Sequence, residues 1–233
     1  EVIYTNDVFK ESEDWWKKIC KNIDTVIHIA WYAEPGKYLT SELNNDCYQG
    51  TKNMARGCAS AQVKRFVGIG TCFEYEIQNV PIDIKSKLDP KTPYAIAKTD
   101  TYNFLTQFFQ EKNIEFLWCR LFYLYGEGED KRRLVPYLRK NLSEGKKVNL
   151  SSGKKVKDYM NVQDAGREIV DLALSKFTGP CNICSGEAVT IRSFSEKIAD
   201  EYGKKDLLSF EDEEVKSFDP PYIVGVKTIK ITN

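Results

Sequence analysis

The sequence has little of what several protein classes require. Its 233 residues include one histidine and two methionines, and its 34 lysines and arginines are matched by 34 aspartates and glutamates. Proteins that bind nucleic acids normally carry a basic surplus, so this balance argues against a nucleic-acid partner. No apolar run reaches the ~18 residues of a membrane-spanning helix, so we also expect no membrane segment.

The seven cysteines form neither a disulfide nor a zinc pattern. Their number is odd and their spacing is scattered, which favours reduced thiols. Cys181 and Cys184 form a CxxC pair, but a zinc site needs a second pair or a histidine pair, and the one histidine lies far away in the sequence. We therefore predict no metal site. Since the polar opening stretch EVIYTNDVFKESED has no signal-peptide features, we expect a cytoplasmic protein.

Helical and strand patterns alternate along the first part of the chain. The strand segments are short and almost continuously apolar, which is typical of a parallel sheet covered by helices on both faces. Ligands of such sheets bind beyond the carboxyl ends of the strands. The predicted order is helix 7–22, strand 24–31, helix 40–61, strand 64–71, helix 92–112 and strand 114–126.

The pattern changes after residue 126. We predict that residues 1–126 form the sheet and that residues 127–233 form a smaller α+β lobe that caps it. Ser152 and Gly153 mark the turn of a predicted hairpin over 146–162. The other elements predicted in this lobe are helix 134–144, helix 163–177, strand 180–184 and helix 190–203.

Two tyrosine–lysine pairs share the same four-residue spacing, which places both side chains of a pair on one helix face. Tyr48 and Lys52 lie inside the helix predicted over 40–61. Tyr94 and Lys98 lie at the start of the next helix, and Thr71 ends the strand between the two helices. Only the second pair is therefore expected beside a hydroxyl at the ligand-binding edge of the sheet.

The second pair has the composition of a proton-transfer site. A free tyrosine has a pKa near ~10 and is a poor base at neutral pH. The ammonium of Lys98 would favour the phenolate of Tyr94 and lower that pKa. The phenolate would then take a proton from a substrate hydroxyl, with Thr71 holding the same oxygen.

Five segments resemble, in order, successive motifs of the extended short-chain dehydrogenase/reductase family, which acts on nucleotide-sugars. They are VIHIAW, GTCFEY, PYAIAK, RLFYLYGEGE and KVKDYMNVQDAG. The resemblance runs from about residue 7 to about residue 203. It implies a Rossmann-type doubly wound parallel sheet with a smaller C-terminal substrate lobe, and an NAD or NADP cofactor.

The resemblance also implies roles for individual residues. Thr71, Tyr94 and Lys98 match the catalytic Ser/Thr, Tyr and Lys of the family. The residues implied to line the cofactor are His28, Ala30, Trp31, Tyr94, Lys98, Phe122 and Leu124. The residues implied to bind substrate are Thr71, Cys72, Phe73, Leu134, Val135 and Lys157.

Two of these roles have alternatives. A lone histidine in an apolar strand, such as His28, is equally typical of a core residue with satisfied hydrogen bonds. Lys157 stands where the family usually has an arginine that grips the substrate diphosphate. A lysine keeps that charge but loses the two-pronged geometry.

The chain departs from the family in two places. The 4,6-dehydratases carry Asp and Glu directly after the catalytic Thr, where this chain has Cys72 and Phe73, so a dehydratase is disfavoured. The family's GxxGxxG turn, which binds the cofactor pyrophosphate, does not occur in this sequence. We interpret the chain as lacking its N-terminal glycine-rich segment, and without that segment we expect weak cofactor binding.

The prediction for function is an NAD(P)-dependent oxidoreductase acting at C4 of a nucleotide-activated deoxysugar. AWYAEPGKY and GTCFEY look most like the branch of sugar dehydrogenases and reductases. A nucleotide-sugar 4-epimerase is the first alternative, and a non-catalytic family member is the second. The resemblance further implies a homodimer formed through the helices predicted over 40–61 and 92–112.

Overall fold

A computed structural model of the chain describes residues 1–211 and 219–228. Residues 212–218 and 229–233, which belong to the predicted lobe 127–233, lie outside the described residues. The helices are α1 (Glu13–Ile19), α2 (Leu43–Ser60), α3 (Pro93–Lys112), α4 (Leu134–Ser143), α5 (Val162–Leu174) and α6 (Ile191–Asp200). The first four strands are β1 (Thr25–His28), β2 (Arg65–Thr71), β3 (Glu115–Leu121) and β4 (Tyr123–Tyr125).

The later strands are short. They are β5 (Val148–Leu150), β6 (Val156–Lys157), β7 (Tyr159–Asn161), β8 (Gly179–Ile183), β9 (Val189–Thr190), β10 (Leu208–Phe210) and β11 (Tyr222–Ile223). The largest sheet has four strands in the order β1-β2-β3-β8, and β1 runs parallel to β2. Every residue of β2 is buried, as predicted from its apolar sequence.

Local signals in the sequence fix where α3 begins and ends. The hydroxyl of Thr92 accepts a hydrogen bond from the backbone N–H of Ala95, and Pro93 occupies the first helical position, where its missing N–H costs nothing. Asn113 adopts a left-handed conformation, with φ of 55°, and ends the helix. These signals place Tyr94 in the first turn of α3 and Lys98 one turn later.

Two of the predicted elements are divided in the structure. The predicted helix 7–22 is a 3₁₀ turn at Val8–Lys10 followed by α1, because the hydroxyl of Ser12 caps a new helix at the N–H of Trp15. The predicted strand 114–126 breaks at Phe122. After the break, β4 leaves the four-stranded sheet and pairs with β7.

The predicted hairpin over 146–162 is wrong. In the part of the chain that the structure describes, β5 pairs with β10, and β6 pairs with β9 and β11, so β5 and β6 do not pair with each other. Gly153 does have the positive φ expected of a turn, at 69°. Each strand next to the turn is instead paired with a strand that is distant in sequence.

The chain divides into two compact units. The first comprises residues 1–76, 87–120 and 169–181, and its core is built around aromatic side chains that include Trp16, Phe66 and Trp118. The second comprises residues 77–86, 121–168 and 182–233. The predicted boundary at residue 126 stays a prediction.

The second unit has its own core, which packs α4 and α6 against β5. Val135, Leu138 and Phe194 are among its buried side chains. Within the described residues, no helix is both long enough and apolar enough to cross a membrane.

Candidate active site

The structure brings Thr71, Tyr94 and Lys98 together in the first unit. Thr71 is the last residue of β2, and its hydroxyl is hydrogen-bonded to the phenol of Tyr94. The same hydroxyl accepts a hydrogen bond from the backbone N–H of Phe73 at 3.3 Å. The carboxyl end of β2 and the first turn of α3 therefore supply a hydroxyl, a phenol and an ammonium side by side.

Aromatic rings enclose the phenol of Tyr94. The ring of Tyr38 meets it edge to face at 4.9 Å between centroids, and that of Trp31 does so at 6.5 Å. The backbone N–H of Tyr94 donates to the carbonyl of Leu39 at 3.1 Å. Burial raises the pKa of Tyr94, and the hydrogen bond from Thr71 only partly opposes that rise.

Lys98 is almost completely buried, with 3% of its surface exposed. Its Nζ donates to the carbonyl of Ile69 at 2.7 Å and lies 3.7 Å from the ring centroid of Trp31. Burial lowers the pKa of Lys98 to about 7, while the negative charge of Glu74 opposes the shift.

The expectation that the Lys98 ammonium lowers the pKa of Tyr94 is wrong for the protein alone, because burial shifts the phenol pKa upward. Lys98 itself, with a pKa of about 7, is only partly charged at neutral pH.

The pair formed by Tyr48 and Lys52 has a different environment despite its identical spacing. Both side chains are half-buried on α2, and Lys52 Nζ lies 5.0 Å from the centroid of the Tyr48 ring. Their contact is a cation–π interaction at the side of the helix. Spacing alone therefore does not distinguish the two pairs, whereas a position at the strand end does.

A buried carboxylate that the sequence reasoning missed lies beneath the site. Glu74 is fully buried and accepts hydrogen bonds from the backbone N–H of Thr71 at 2.8 Å, from Trp118 Nε1 at 3.1 Å and from Arg120 Nε at 2.7 Å. A Cβ on Gly70 would lie 2.4 Å from Glu74 Oε1, so this position requires glycine.

A signal for this pair was present in the sequence. Arg120 is a single charge within the apolar segment 116–125 and Glu74 is a single charge just after another apolar segment, and charges in such positions are almost always paired when buried. The negative charge of Glu74 also affects two of the catalytic candidates, because it raises the pKa of both Tyr94 and Lys98.

The structure places His28 against α2, away from solvent. The hydroxyl of Thr51 donates to the carbonyl of Cys47 at 2.7 Å, so its oxygen accepts from His28 Nε2 at 2.9 Å. Burial lowers the pKa of His28 to about 3. A neutral core histidine accounts for these contacts, and its implied role beside the cofactor stays a prediction.

His28 should make the protein sensitive to acid. In the unfolded chain it takes up a proton below pH 6.5, whereas in the folded chain it does so only near pH 3. Folding stability is therefore lost as pH falls through this window. Because glutamine takes up no proton, we expect the free energy of unfolding of His28→Gln to exceed that of wild type by up to ~3 kcal/mol at about pH 4 and to differ little at pH 7. Urea unfolding at both pH values measures this, and equal losses in the two proteins would contradict it.

The other predicted residues lie in several places. In the first unit Ala30 is exposed after β1, Cys72 is buried and Phe73 is half-buried. In the second unit Phe122 is buried and Leu124 is half-buried on β4. These predictions are not tested by the geometry of either unit taken alone.

Leu134 and Val135 begin α4 and pack with the core of the second unit. Val135 also lines a cavity of about 420 Å³ beside Tyr125 and Asn161, which end the paired strands β4 and β7. This cavity lies at the carboxyl ends of parallel strands, where ligands of such sheets are usually bound.

Lys157 is buried in the second unit. Its Nζ donates to Asp219 Oδ1 at 2.8 Å and to the carbonyl of Pro220 at 2.6 Å. A substrate diphosphate would have to compete with that carboxylate for the ammonium. Its role as a diphosphate ligand stays a prediction.

The CxxC cysteines are buried near the end of β8. Cys181 Sγ lies 3.7 Å from Cys119 Sγ, and Cys184 is also a free thiol. In the described part of the chain, no group of three or more His, Cys, Asp or Glu side chains is arranged to hold a metal ion.

Comparisons with known proteins agree with the resemblance. The model of a family described as the NAD dependent epimerase/dehydratase family matches residues 6–183. A protein from Aggregatibacter actinomycetemcomitans, dTDP-6-deoxy-L-talose 4-dehydrogenase (NAD(+)), is 26% identical over 97% of this chain and 83% of its own length. A protein from Escherichia coli, dTDP-4-dehydro-6-deoxyglucose reductase, is 25% identical over 82% of this chain and 63% of its own length.

A solved structure shows the fold. The UDP-N-acetylglucosamine 4-epimerase from Methanobrevibacter ruminantium M1, in complex with UDP-N-acetylmuramic acid, is 20% identical and superposes with a TM-score of 0.87. The match covers 97% of this chain and 74% of the other. The predicted α/β class with a Rossmann-type parallel sheet is thereby confirmed.

Proposed function

Because the chain belongs to the NAD dependent epimerase/dehydratase family, a family of NAD-dependent enzymes, we propose that it is an oxidoreductase acting at C4 of a dTDP-activated 6-deoxysugar. The observation that carries the proposal is the hydrogen bond between Thr71 and Tyr94 beside the Lys98 ammonium. The names of both curated relatives support the choice of C4 and of a dTDP-6-deoxysugar.

The side chains of the site fit the nicotinamide–ribose end of a dinucleotide. The Lys98 ammonium has three N–H groups and gives one of them to the Ile69 carbonyl, and the phenol of Tyr94 offers a further polar group. Tyr94 and Lys98 would hold the ribose. The pyrophosphate end has no matching residues in this sequence, which contains no GxxGxxG turn.

When bound, the nicotinamide would supply or accept the hydride at C4. The chain's own residues manage the accompanying proton. Thr71 would donate a hydrogen bond to the C4 oxygen, and Tyr94 would exchange a proton with it. The hydrogen bond between Thr71 and Tyr94 would also keep the phenol oriented towards that oxygen.

The protonation state of Tyr94 bears on its role in proton transfer. Burial raises its pKa, so the side chain is a neutral phenol at neutral pH and is ready to donate its proton. Reduction of a 4-keto sugar needs a proton on the new C4 oxygen, and a neutral phenol supplies it. In the reverse reaction the phenolate would take up that proton, so Tyr94 can serve either direction.

Turnover by the full-length protein tests this proposal. A dTDP-4-keto-6-deoxysugar is mixed with NADH or NADPH, and the near-ultraviolet absorbance of the reduced cofactor is followed. Loss of that absorbance with formation of a 4-hydroxy sugar is the expected result. Interconversion of C4 isomers without net change in cofactor would identify an epimerase instead. Absence of both, with sugar and cofactor each present, would identify a non-catalytic family member.

The proposal includes a homodimer formed through α2 and α3. Leu43 of α2 and Ile96 of α3 are exposed, at 46% and 44%. Phe104 and Phe108 stack at 5.4 Å on α3, and Lys52 of α2 covers Phe104 at 5.3 Å. Aromatic side chains are enriched at interfaces between proteins.

A single substitution should separate such a dimer. Phe104→Arg adds a third cation beside Lys52 and Arg56 and removes the ring over which both lie. Light scattering coupled to size exclusion should then give about half the mass of wild type. Gln110→Arg, an exposed position on α3, is the control and should stay dimeric. A wild-type protein of monomeric mass would refute the proposed dimer.

We also place the protein in the cytoplasm. All seven cysteines are free and buried, as thiols that stay reduced in that compartment would be.

A further inference from the structure

A buried amide on α2 connects two parts of the candidate site. Asn44 is 1% exposed and lies in the first turn of α2. Its Oδ1 accepts a hydrogen bond from Trp31 Nε1 at 2.9 Å, and its Nδ2 donates to the carbonyls of Tyr38 at 2.6 Å and Ser41 at 2.8 Å. An indole N–H only donates and a carbonyl only accepts, so the orientation of the amide is unambiguous.

The first connection leads to Lys98. The indole held by Asn44 lies 3.7 Å from Lys98 Nζ, measured to the ring centroid. An aromatic face at this distance stabilises a desolvated ammonium by cation–π attraction. Trp31 thus forms one wall around the Lys98 ammonium. The Ile69 carbonyl accepts a hydrogen bond from Lys98 Nζ at 2.7 Å.

The second connection leads to Tyr94. The two carbonyls bound by Asn44 belong to the segment 38–41. Within that segment the ring of Tyr38 packs edge to face on Tyr94 at 4.9 Å, and the carbonyl of Leu39 accepts from the backbone N–H of Tyr94. The segment is therefore a second wall, placed against the phenol.

We propose that Asn44 is a positioning residue of this site, holding the Trp31 indole against Lys98 and the segment 38–41 against Tyr94 with one side chain. The inference rests on the proposed function for its catalytic meaning. Asn44 lies outside the five segments that carry the family resemblance. Its role would be to hold the phenol of Tyr94 and the ammonium of Lys98 in their relative positions.

Two substitutions of Asn44 disrupt its hydrogen bonds in different ways. Asn44→Asp keeps the acceptor for Trp31 but turns an oxygen towards the carbonyls of Tyr38 and Ser41, which repels them. Asn44→Leu has a similar size and removes all three hydrogen bonds. Either change leaves buried polar groups without partners. The neighbouring Asn45 is exposed on the same turn and provides matched controls, Asn45→Asp and Asn45→Leu.

We expect both Asn44 variants to lower kcat by about 10- to 100-fold in the full-length protein, with a much smaller change in the KM for the sugar, because loss of alignment acts on the chemical step. The Asn45 variants should match wild type. Trp31→Phe retains an aromatic ring over Lys98 but loses the indole N–H, and it should give a smaller loss. Combining Trp31→Phe with Asn44→Leu should add little to Asn44→Leu alone.

Two NMR measurements test the geometry without turnover. The indole N–H of Trp31 should exchange with solvent at least about tenfold faster in the Asn44 variants, and the titration midpoint of the Lys98 ammonium should move. Circular dichroism verifies folding, and Trp31→Phe provides the test if an Asn44 variant does not fold.

The proposal would be overturned if a folded Asn44 variant showed the wild-type exchange rate of the Trp31 indole N–H, the wild-type titration midpoint of Lys98 and the wild-type kcat. An equal loss in the Asn45 variants would do the same, since it would show a general effect on α2. If wild type turns over no nucleotide-sugar, the proposed function fails. The NMR results would still decide whether Asn44 holds the two walls.

Discussion

Glu74→Gln should lower the free energy of unfolding by about 3–5 kcal/mol, the cost of leaving a buried charge without its partner. The carboxylate of Glu74 and the guanidinium of Arg120 are 0% and 2% exposed, and their N···O distance is 2.7 Å. Removing the negative charge leaves Arg120 charged in a site that excludes water. Urea unfolding, followed by fluorescence or circular dichroism, measures the loss.

A double variant separates stability from function. Glu74→Leu with Arg120→Met removes both charges, and apolar replacement of a buried ion pair is often neutral or stabilising. Arg120 Nη2 is buried without a hydrogen-bond partner among the described residues, so the native pair is itself imperfectly satisfied. We expect most of the lost stability to return in the double variant.

The double variant should regain stability without regaining turnover. Glu74 Oε1 accepts the backbone N–H of Thr71, and its charge supports the protonated form of Lys98. A leucine does neither. A stable double variant with wild-type turnover would show that Glu74 serves folding alone.

An exposed ion pair of equal length provides the control. Lys91 and Asp89 also meet at 2.7 Å, but their side chains are 67% and 30% exposed. Exposed pairs contribute about 0–1 kcal/mol, so Asp89→Asn should change stability little. If Glu74→Gln were equally mild, the pair would not be buried as the structure places it.

The parts of the site that the sequence predicted are those with local signals. Pro93 and the cap residue Thr92 fix the start of α3, and the apolar run before Thr71 fixes the end of β2. Helix starts and strand ends depend on a few neighbouring residues, so one sequence is enough to locate them. The resemblance then added the chemical roles, which spacing alone did not distinguish from those of Tyr48.

The parts that the sequence did not predict depend on contacts between distant segments. The strands β5 and β6 flank a plausible turn. However, β5 pairs with β10 and β6 pairs with β11, and both partners lie more than thirty residues later in the chain. Asn44 shows no local sign of its role, since the adjacent Asn45 is the same residue type. Only the fold decides which of the two amides is buried.

The pKa of Tyr94 illustrates a limit of reasoning from residue types. A lysine one turn away suggests a more acidic phenol, because opposite charges attract. The rings of Trp31 and Tyr38 pack against the phenol, and the cost of desolvating a phenolate raises the pKa of Tyr94, with the hydrogen bond from Thr71 opposing the rise only in part. Burial, which a sequence does not specify quantitatively, therefore sets the sign of the shift.

Tyr94→Phe should reduce kcat by about 10²- to 10⁴-fold, the usual contribution of a positioned proton donor. The substitution removes only the hydroxyl and with it the hydrogen bond to Thr71. The ring contacts with Tyr38 and Trp31 remain possible for phenylalanine. Thermal unfolding should therefore change by no more than a few degrees, while steady-state assays with the sugar and reduced cofactor show the loss.

Tyr48→Phe is the matched control, because Tyr48 shares the four-residue spacing to a lysine but lies on α2 away from Thr71. Its ring can still face Lys52 after the change, since cation–π attraction does not need the hydroxyl. Turnover by this variant should equal that of wild type. If Tyr94→Phe kept turnover within a few-fold of wild type, the proton would have to come from another group, and the strand-end constellation would not be the catalytic one.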